Sequence, residues 1–141
     1  MILIGSDHRG VSLKNNIIFE LNKLNIQFKD YGTYDDKISV DYPDIVHKII
    51  NDLNTDDMAI LICYTANGMA ITANKYSNIR AAICFNEEMA KLARNHNDAN
   101  VLCIPSGFLS SNVCINDIVY NFITSKFEGG RHQDRINKIN K

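Results

Sequence analysis

The chain moves between two rhythms. Short apolar runs alternate with longer stretches in which apolar residues return every three or four positions. The first rhythm predicts a strand buried on both faces, the second a helix with one buried stripe. Ile2 to Ile4 is the first run, and Leu13, Ile17, Leu21 and Leu24 follow at helical spacing. Gln27 to Tyr31 predicts a second strand, stopped by Gly32, and Thr33 to Val40 a polar loop. Asp41 is the expected cap of the next helix. Pro43 lies in its first turn, and Ile45, Val46, Ile49, Ile50 and Leu53 form its stripe. Met58 to Cys63 predicts a third strand, Met69 to Lys75 a short helix and Ile79 to Phe85 a fourth strand. Asn86 is placed to cap a further helix, with Glu87 and Glu88 suited to the positive end of its dipole. Val101 to Ile104 predicts the fifth strand. Ile115, Ile118, Val119 and Phe122 mark the last long helix, and a polar, basic tail runs from Lys126 to Lys141.

Alternating β and α units imply a parallel sheet with helices on both faces. The expected fold is a single α/β domain over residues 1–141, a doubly wound five-stranded parallel sheet in a Rossmann-like α/β/α sandwich. At 141 residues the chain is long enough for one proper core. Neither repeats nor a linker interrupt it.

Composition narrows the partners. A formal net charge of -1 gives no electrostatic case for nucleic acid or for an anionic membrane. The amino-terminal run lacks a basic leader and turns polar early, and no apolar run is long enough to span a bilayer. The four cysteines show no paired CxxC spacing, so reduced thiols in a cytoplasmic setting are expected.

Cys63 is the first candidate for chemistry. It closes an apolar strand and is followed by Tyr64-Thr65-Ala66-Asn67-Gly68. Parallel sheets bind ligands at the carboxyl ends of their strands. Helix amides beyond Gly68 would face the thiol and lower its pKa. Local sequence alone suits a small buried hydrophobe as well as a reactive thiol. The turn Gly5-Ser6-Asp7-His8-Arg9-Gly10 joins strand to helix, an anion-binding layout that also carries an acid, an imidazole and a guanidinium. Solvated His8 and Arg9 with Asp7 as a helix cap would read the same way. Arg94 to Asn100 is a polar run expected to form the turn before the fifth strand, although a His at this spot could equally cap the carboxyl end of the preceding helix. That places His96 at the opposite sheet edge from Cys63, a conflict that disappears if His96 serves a neighbouring subunit's site. Arg131 and Arg135 share one face if the tail is helical there, and two forked cations suit a phosphate dianion. A solvated tail is the plain alternative. The four histidines show no ligand pair at a diagnostic spacing, so neither metal nor other cofactor is expected.

Taken in order, these segments resemble the ribose-5-phosphate isomerase B family, which includes related galactose- and allose-phosphate isomerases. The resemblance rests on Ile4-Gly5-Ser6-Asp7-His8, Tyr31-Gly32-Thr33, Asp41-Tyr42-Pro43-Asp44, Ile60-Leu61-Ile62-Cys63, Ala73-Asn74-Lys75, Ile79-Arg80-Ala81, His96-Asn97-Asp98-Ala99-Asn100-Val101-Leu102 and Phe127-Glu128-Gly129-Gly130-Arg131-His132. It implies metal-independent interconversion of ribose 5-phosphate and ribulose 5-phosphate. It also implies a homodimer, possibly paired again into a tetramer, with active sites built from both subunits. One branch of the family uses a Cys base at the position of Cys63. The other uses a Glu where this chain has Asn67, and an amide cannot abstract a proton. The resemblance assigns the proton transfer to Cys63 and ring opening mainly to His96, with Asp7 and Thr65 positioning hydroxyls. It assigns substrate contacts to His8, Tyr64, Ala66, Asn67, Gly68, Asn97, Arg131 and Arg135. Two departures stand out. Tyr64 and Ala66 replace glycines of the family loop and would be strained at positive φ. Gly107 stands where the family carries an Arg implicated in phosphate binding, and Arg9 is the candidate replacement. A hexose 6-phosphate isomerase and a non-catalytic sugar-phosphate sensor are the alternatives.

Overall fold

The computed structural model describes residues 1–140. Five strands form one sheet: β1 (Ile2–Ser6), β2 (Phe28–Asp30), β3 (Met58–Cys63), β4 (Ala81–Ile83) and β5 (Val101–Pro105). Every pairing is parallel and the order is β2-β1-β3-β5-β4. Six helices connect and follow them: α1 (Val11–Lys23), α2 (Tyr42–Asp52), α3 (Asn67–Ala73), α4 (Glu87–Asn97), α5 (Ile115–Thr124) and α6 (Arg131–Ile136).

The period-2 geometry of a strand divides the core in two. Ile60 and Ile62 of β3 face one way and pack with Ile17 and Leu21 of α1, Ala90 and Ala93 of α4, and Ile118, Val119 and Phe122 of α5. Ala59, Leu61 and Cys63 face the other way, against Ile45, Val46, Ile49 and Ile50 of α2 and Met69, Ala70 and Ala73 of α3. Helices therefore cover both faces, as the continuous apolar strands require. The chain leaves β1 toward β2 on one side, then crosses to β3, runs out to β4 at the far edge and returns to insert β5 between them. The carboxyl ends of β1 and β3 thus flank the topological switch point, where open α/β sheets place their ligands.

Several element boundaries differ from the pattern-based expectation. The outer strands β2 and β4 are three residues each, shorter than the expected Gln27–Tyr31 and Ile79–Phe85, and each has one neighbour only. Leu24 falls at the carboxyl end of α1 and is 51% exposed, outside the buried stripe. Asp41 occupies the cap position of α2 but its side chain makes no capping bond. Asn86 does cap α4, its Oδ1 accepting from the Met89 amide at 2.8 Å. The helix α3 starts at Asn67, two residues before the expected Met69.

One buried pair had no signature in the pattern. Lys14 of α1 is fully buried, and its Nζ meets both carboxylate oxygens of Asp30 at 2.7 and 2.8 Å. The same carboxylate accepts the Gly32 amide, and the Gly32 carbonyl accepts the amide of Ser6. This network braces the end of β1 immediately before Asp7 and His8.

Candidate active site

Three strand ends converge at the switch point. The Asp7 amide donates to the Ile62 carbonyl at 3.1 Å, and the Ser106 amide to the Cys63 carbonyl at 2.9 Å. Cys63 is buried at the end of β3, 5% exposed. Backbone amides of Met69, Ala66 and Thr65 point toward its sulfur and favour the thiolate. They are outweighed. Burial, with the Asp7 carboxylate adding to it, pushes the Cys63 thiol above its ordinary value of 9.0. The expected lowering by α3 is corrected: the amides are in place, but an apolar seat and a neighbouring anion win.

The loop after Cys63 carries its strain at one position. Ala66 sits at the amino cap of α3 with φ 64° and ψ -9°, in the left-handed region that disfavours a Cβ. Tyr64 is absent from the positive-φ residues, so the strain expected there does not arise. Asn67 and Gly68 form the first turn of α3, and the Asn67 amide donates to Thr65 Oγ1 at 3.3 Å. The Tyr42 ring lies directly over Gly68, where any Cβ would overlap it.

An open cavity of about 550 Å³ lies beside this loop, lined by His8, Arg9, Ser12, Asp36, Tyr64, Ser106 and Gly107. Asp7 is 7% exposed; its Oδ1 accepts the Arg9 amide at 2.9 Å and shapes the turn. His8 Nδ1 accepts the Val40 amide at 3.3 Å, so in the neutral ring the proton resides on Nε2. The Arg9 guanidinium stacks on the Tyr64 ring, 3.6 Å from its centroid. The Tyr64 ring in turn meets Phe108 edge-on at 5.3 Å. A Cβ built at Gly107 would overlap the Tyr64 ring. The two sequence departures are therefore one structural event. Tyr64 fills the space a side chain at 107 would take, and it presents a face to Arg9.

The second group of candidates lies elsewhere in the chain. Arg94 to Asn97 are helical, not a turn: α4 runs through Asn97 and ends on Asp98 at φ 44°. His96 therefore sits in the last turn of α4, beside the amino end of β5. Cys63 pairs with Pro105 at the carboxyl end of β5. The two residues are separated by the length of β5, roughly 15 Å at about 3.3 Å per residue. One chain does not bring Cys63 and His96 together.

The tail joins His96. The Glu128 amide donates to the Asn95 carbonyl at 3.0 Å, and α6 packs against α4. Arg131 and Arg135 are both on α6 and exposed. His132 stacks on His96 with centroids 4.2 Å apart and planes at 11°. Burial, with His96 and Arg131 adding positive charge nearby, lowers the His132 pKa. Glu128 and His132 belong to a tail motif visible in the sequence, but their contact with His96 was not, because it spans more than thirty positions. Asn97 is exposed at the end of α4, its carbonyl accepting from Arg80 Nε at 3.0 Å.

The candidate residues thus fall into two separate groups. One holds Asp7, His8, Arg9, Cys63 and the loop from Tyr64 to Gly68. The other holds His96, Asn97, Arg131 and Arg135. Residues 2–139 match the family model described as Ribose/Galactose Isomerase. The crystal structure of a ribose 5-phosphate isomerase from Thermotoga maritima superposes with a TM-score of 0.92 at 43% identity, over 98% of this chain and 95% of that one. The ribose-5-phosphate isomerase B of Mycoplasma genitalium, solved with bound ribulose-5-phosphate, gives 0.91 at 41% identity over 98% and 92%. A ribose-5-P isomerase B of Listeria innocua is 36% identical over 137 residues, 96% of this chain and 91% of its own length.

Proposed function

The chain belongs to the ribose/galactose isomerase family, and from that premise we propose that it interconverts ribose 5-phosphate and ribulose 5-phosphate. The observation that carries this reading is Cys63 at the switch point, ringed by amides and adjoining a cavity with a cation at its rim. Ribulose-5-phosphate bound to the Mycoplasma genitalium protein, at 41% identity, supports the pentose assignment. Tyr64 supports it too, because its ring takes room that a longer sugar would use.

The reaction has two stages. The hemiacetal opens when a general acid–base group moves a proton between the ring oxygen and the anomeric hydroxyl, the role of His96. Cys63, as thiolate, then removes the C2 proton and returns it to C1, while the hydroxyl proton passes from O2 to O1. The intermediate is a cis-enediolate, and the amides of Thr65, Ala66 and Met69 are placed to take up its developing charge. Asp7 and Thr65 position hydroxyls, and Asn67 and Asn97 complete the sugar contacts. General base catalysis of this kind is worth roughly 10²–10⁴-fold. His8 Nε2–H, Arg9, Arg131 and Arg135 bind the phosphate, and that remote binding energy orients the reacting carbons.

The separation of the two groups supports a homodimer in which His96 and α6 of one protomer complete the Cys63 site of its partner. The activity belongs to the pentose-phosphate interconversions of the cytoplasm and requires no metal. A coupled assay with ribose 5-phosphate, beside allose 6-phosphate and galactose 6-phosphate, tests the proposal. Turnover of the pentose phosphate should be preferred by at least tenfold. Preference for a hexose phosphate would reassign the substrate, and binding without turnover of all three would make the chain a sugar-phosphate sensor.

A further inference from the structure

His96, Glu128 and His132 converge although they are spread over 37 positions of the chain. One ligand atom from each lies within 4.8 Å of the other two. Glu128 Oε2 stands 3.5 Å from His132 Nε2 and 3.9 Å from His96 Nε2. In a tetrahedral zinc site with bonds of about 2.0–2.1 Å, neighbouring ligand atoms lie about 3.3 Å apart. The Glu128–His132 spacing is therefore about 0.2 Å from a coordination distance and the Glu128–His96 spacing about 0.6 Å, before any ion is present.

We propose that these three residues form a binding site for a divalent transition-metal ion of the zinc type. Two imidazoles and one carboxylate suit such ions over calcium or magnesium, which prefer oxygen ligands. The backbone organises the site. The Glu128 amide is bonded to the Asn95 carbonyl one residue before His96, which ties the tail to the last turn of α4. His132 is held in place by burial, its side chain 8% exposed, while Glu128 at 54% and His96 at 39% leave an open side for the ion to enter. The stacked rings direct their lone pairs alongside one another, so binding requires the imidazoles to splay. His96, half-exposed at a helix end, is free to turn. Three protein ligands leave a fourth position for water or a substrate oxygen.

One consequence rests on the proposed function. A metal on His96 Nε2 occupies the lone pair that ring opening needs, so zinc acts as a reversible inhibitor. The ion is no cofactor of the reaction.

Cobalt chloride added to the reduced protein reports the site directly. The expected result is a visible absorption band saturating at one ion per chain, displaced by zinc chloride. Glu128→Gln should weaken the cobalt affinity at least tenfold, as should His132→Asn if that buried variant folds. Cys63→Ser should leave it unchanged. Equal cobalt affinity in the wild type and in Glu128→Gln would overturn the site and leave a carboxylate that merely neutralises two imidazoles. Loss of the band in Cys63→Ser alone would overturn it as well, by showing that the thiol holds the ion. Isomerase assays form the second arm. Zinc should inhibit the wild type, a chelator should restore activity, and Glu128→Gln should need at least tenfold more zinc, measured against its own metal-free rate. Metal bound at the three residues with no inhibition would sustain the site and remove His96 from the reaction.

Discussion

Cys63 is pulled both ways. Three amides stabilise its thiolate, while an apolar seat and Asp7 stabilise the thiol more. A base that is mostly protonated at rest works through its ionised fraction, so activity should climb as pH rises through and beyond the ordinary thiol range. A pH–rate profile of kcat/KM checks this, and a profile falling above pH 7 would exclude the thiolate. Cys63→Ser should reduce kcat by at least 10²-fold, on the order of a lost general base, with phosphate binding retained. Linkage gives the matching sign for stability. An acid whose folded pKa is raised contributes stability at low pH and loses it as pH rises. Cys84, pushed up to about 12 by burial, and Cys103, pushed up further, act in the same direction as Cys63. Denaturation midpoints should therefore fall between about pH 8.5 and 12, where the unfolded thiols ionise first. Gly107 is the other informative residue. Gly107→Ala forces the Tyr64 ring off its place and off Arg9. Inorganic phosphate should then bind more weakly, by about 0.5–1 kcal/mol for the lost cation–π stack. Combined with Tyr64→Gly, the same substitution should have little further effect. Additive losses in that double-mutant cycle would show the two positions to be independent.

Among the elements, α3 is the one whose start decides chemistry. It begins at Asn67 because Ala66 accepts a left-handed conformation, and that turn is what aims the amides of Thr65, Ala66 and Met69 at the sulfur. The conformation costs Ala66 about 1–2 kcal/mol relative to a right-handed one. Glycine removes that cost and adds about 0.5–1 kcal/mol of chain entropy to the unfolded state. Ala66→Gly should therefore stabilise the protein by up to about 1 kcal/mol, read as an upward shift of the urea midpoint with an unchanged slope. A lower midpoint would mean the methyl group, fully buried in the α2–α3 core, contributes more than the strain removes. The helix α4 shows how far periodicity reads and where it stops. Its start was legible from Asn86, Glu87 and Glu88, all of which suit a helix amino terminus. Its end was not, because Arg94-Asn95-His96-Asn97 has the polarity of a turn yet continues the helix, with Arg94 tucked in against Asp98 and the Ala99 carbonyl.

For the whole molecule, the separation of Cys63 from His96 by the length of β5 makes a single chain incomplete for the proposed reaction. Mixing Cys63→Ser chains with His96→Asn chains should restore activity, because one heterodimer site then holds both native residues. If subunits exchange at random, half the dimers are mixed, and each has one intact site. Recovery should approach about a quarter of the wild-type rate per chain, with the statistics of closed dimers as the basis. No recovery despite demonstrated exchange would put both residues to work within one chain.

Much of this was written in the sequence by itself. Apolar runs long enough to be buried on both faces, separated by amphipathic stretches, dictate a parallel sheet with two helical layers. Local pattern also placed Cys63 at a strand end and Arg131 and Arg135 on one helical face, because these depend on near neighbours. The tertiary structure decided what depends on distant ones. Burial of Cys63 at the inner end of β3, with Asp7 brought beside it by the sheet order, reversed the expected pKa shift. Packing across the loops merged Tyr64, Gly107 and Arg9 into one unit. The return of the tail onto α4 brought His132 and Glu128 to His96. Each of these rests on contacts between residues tens of positions apart, and periodicity over a dozen residues carries no information about them.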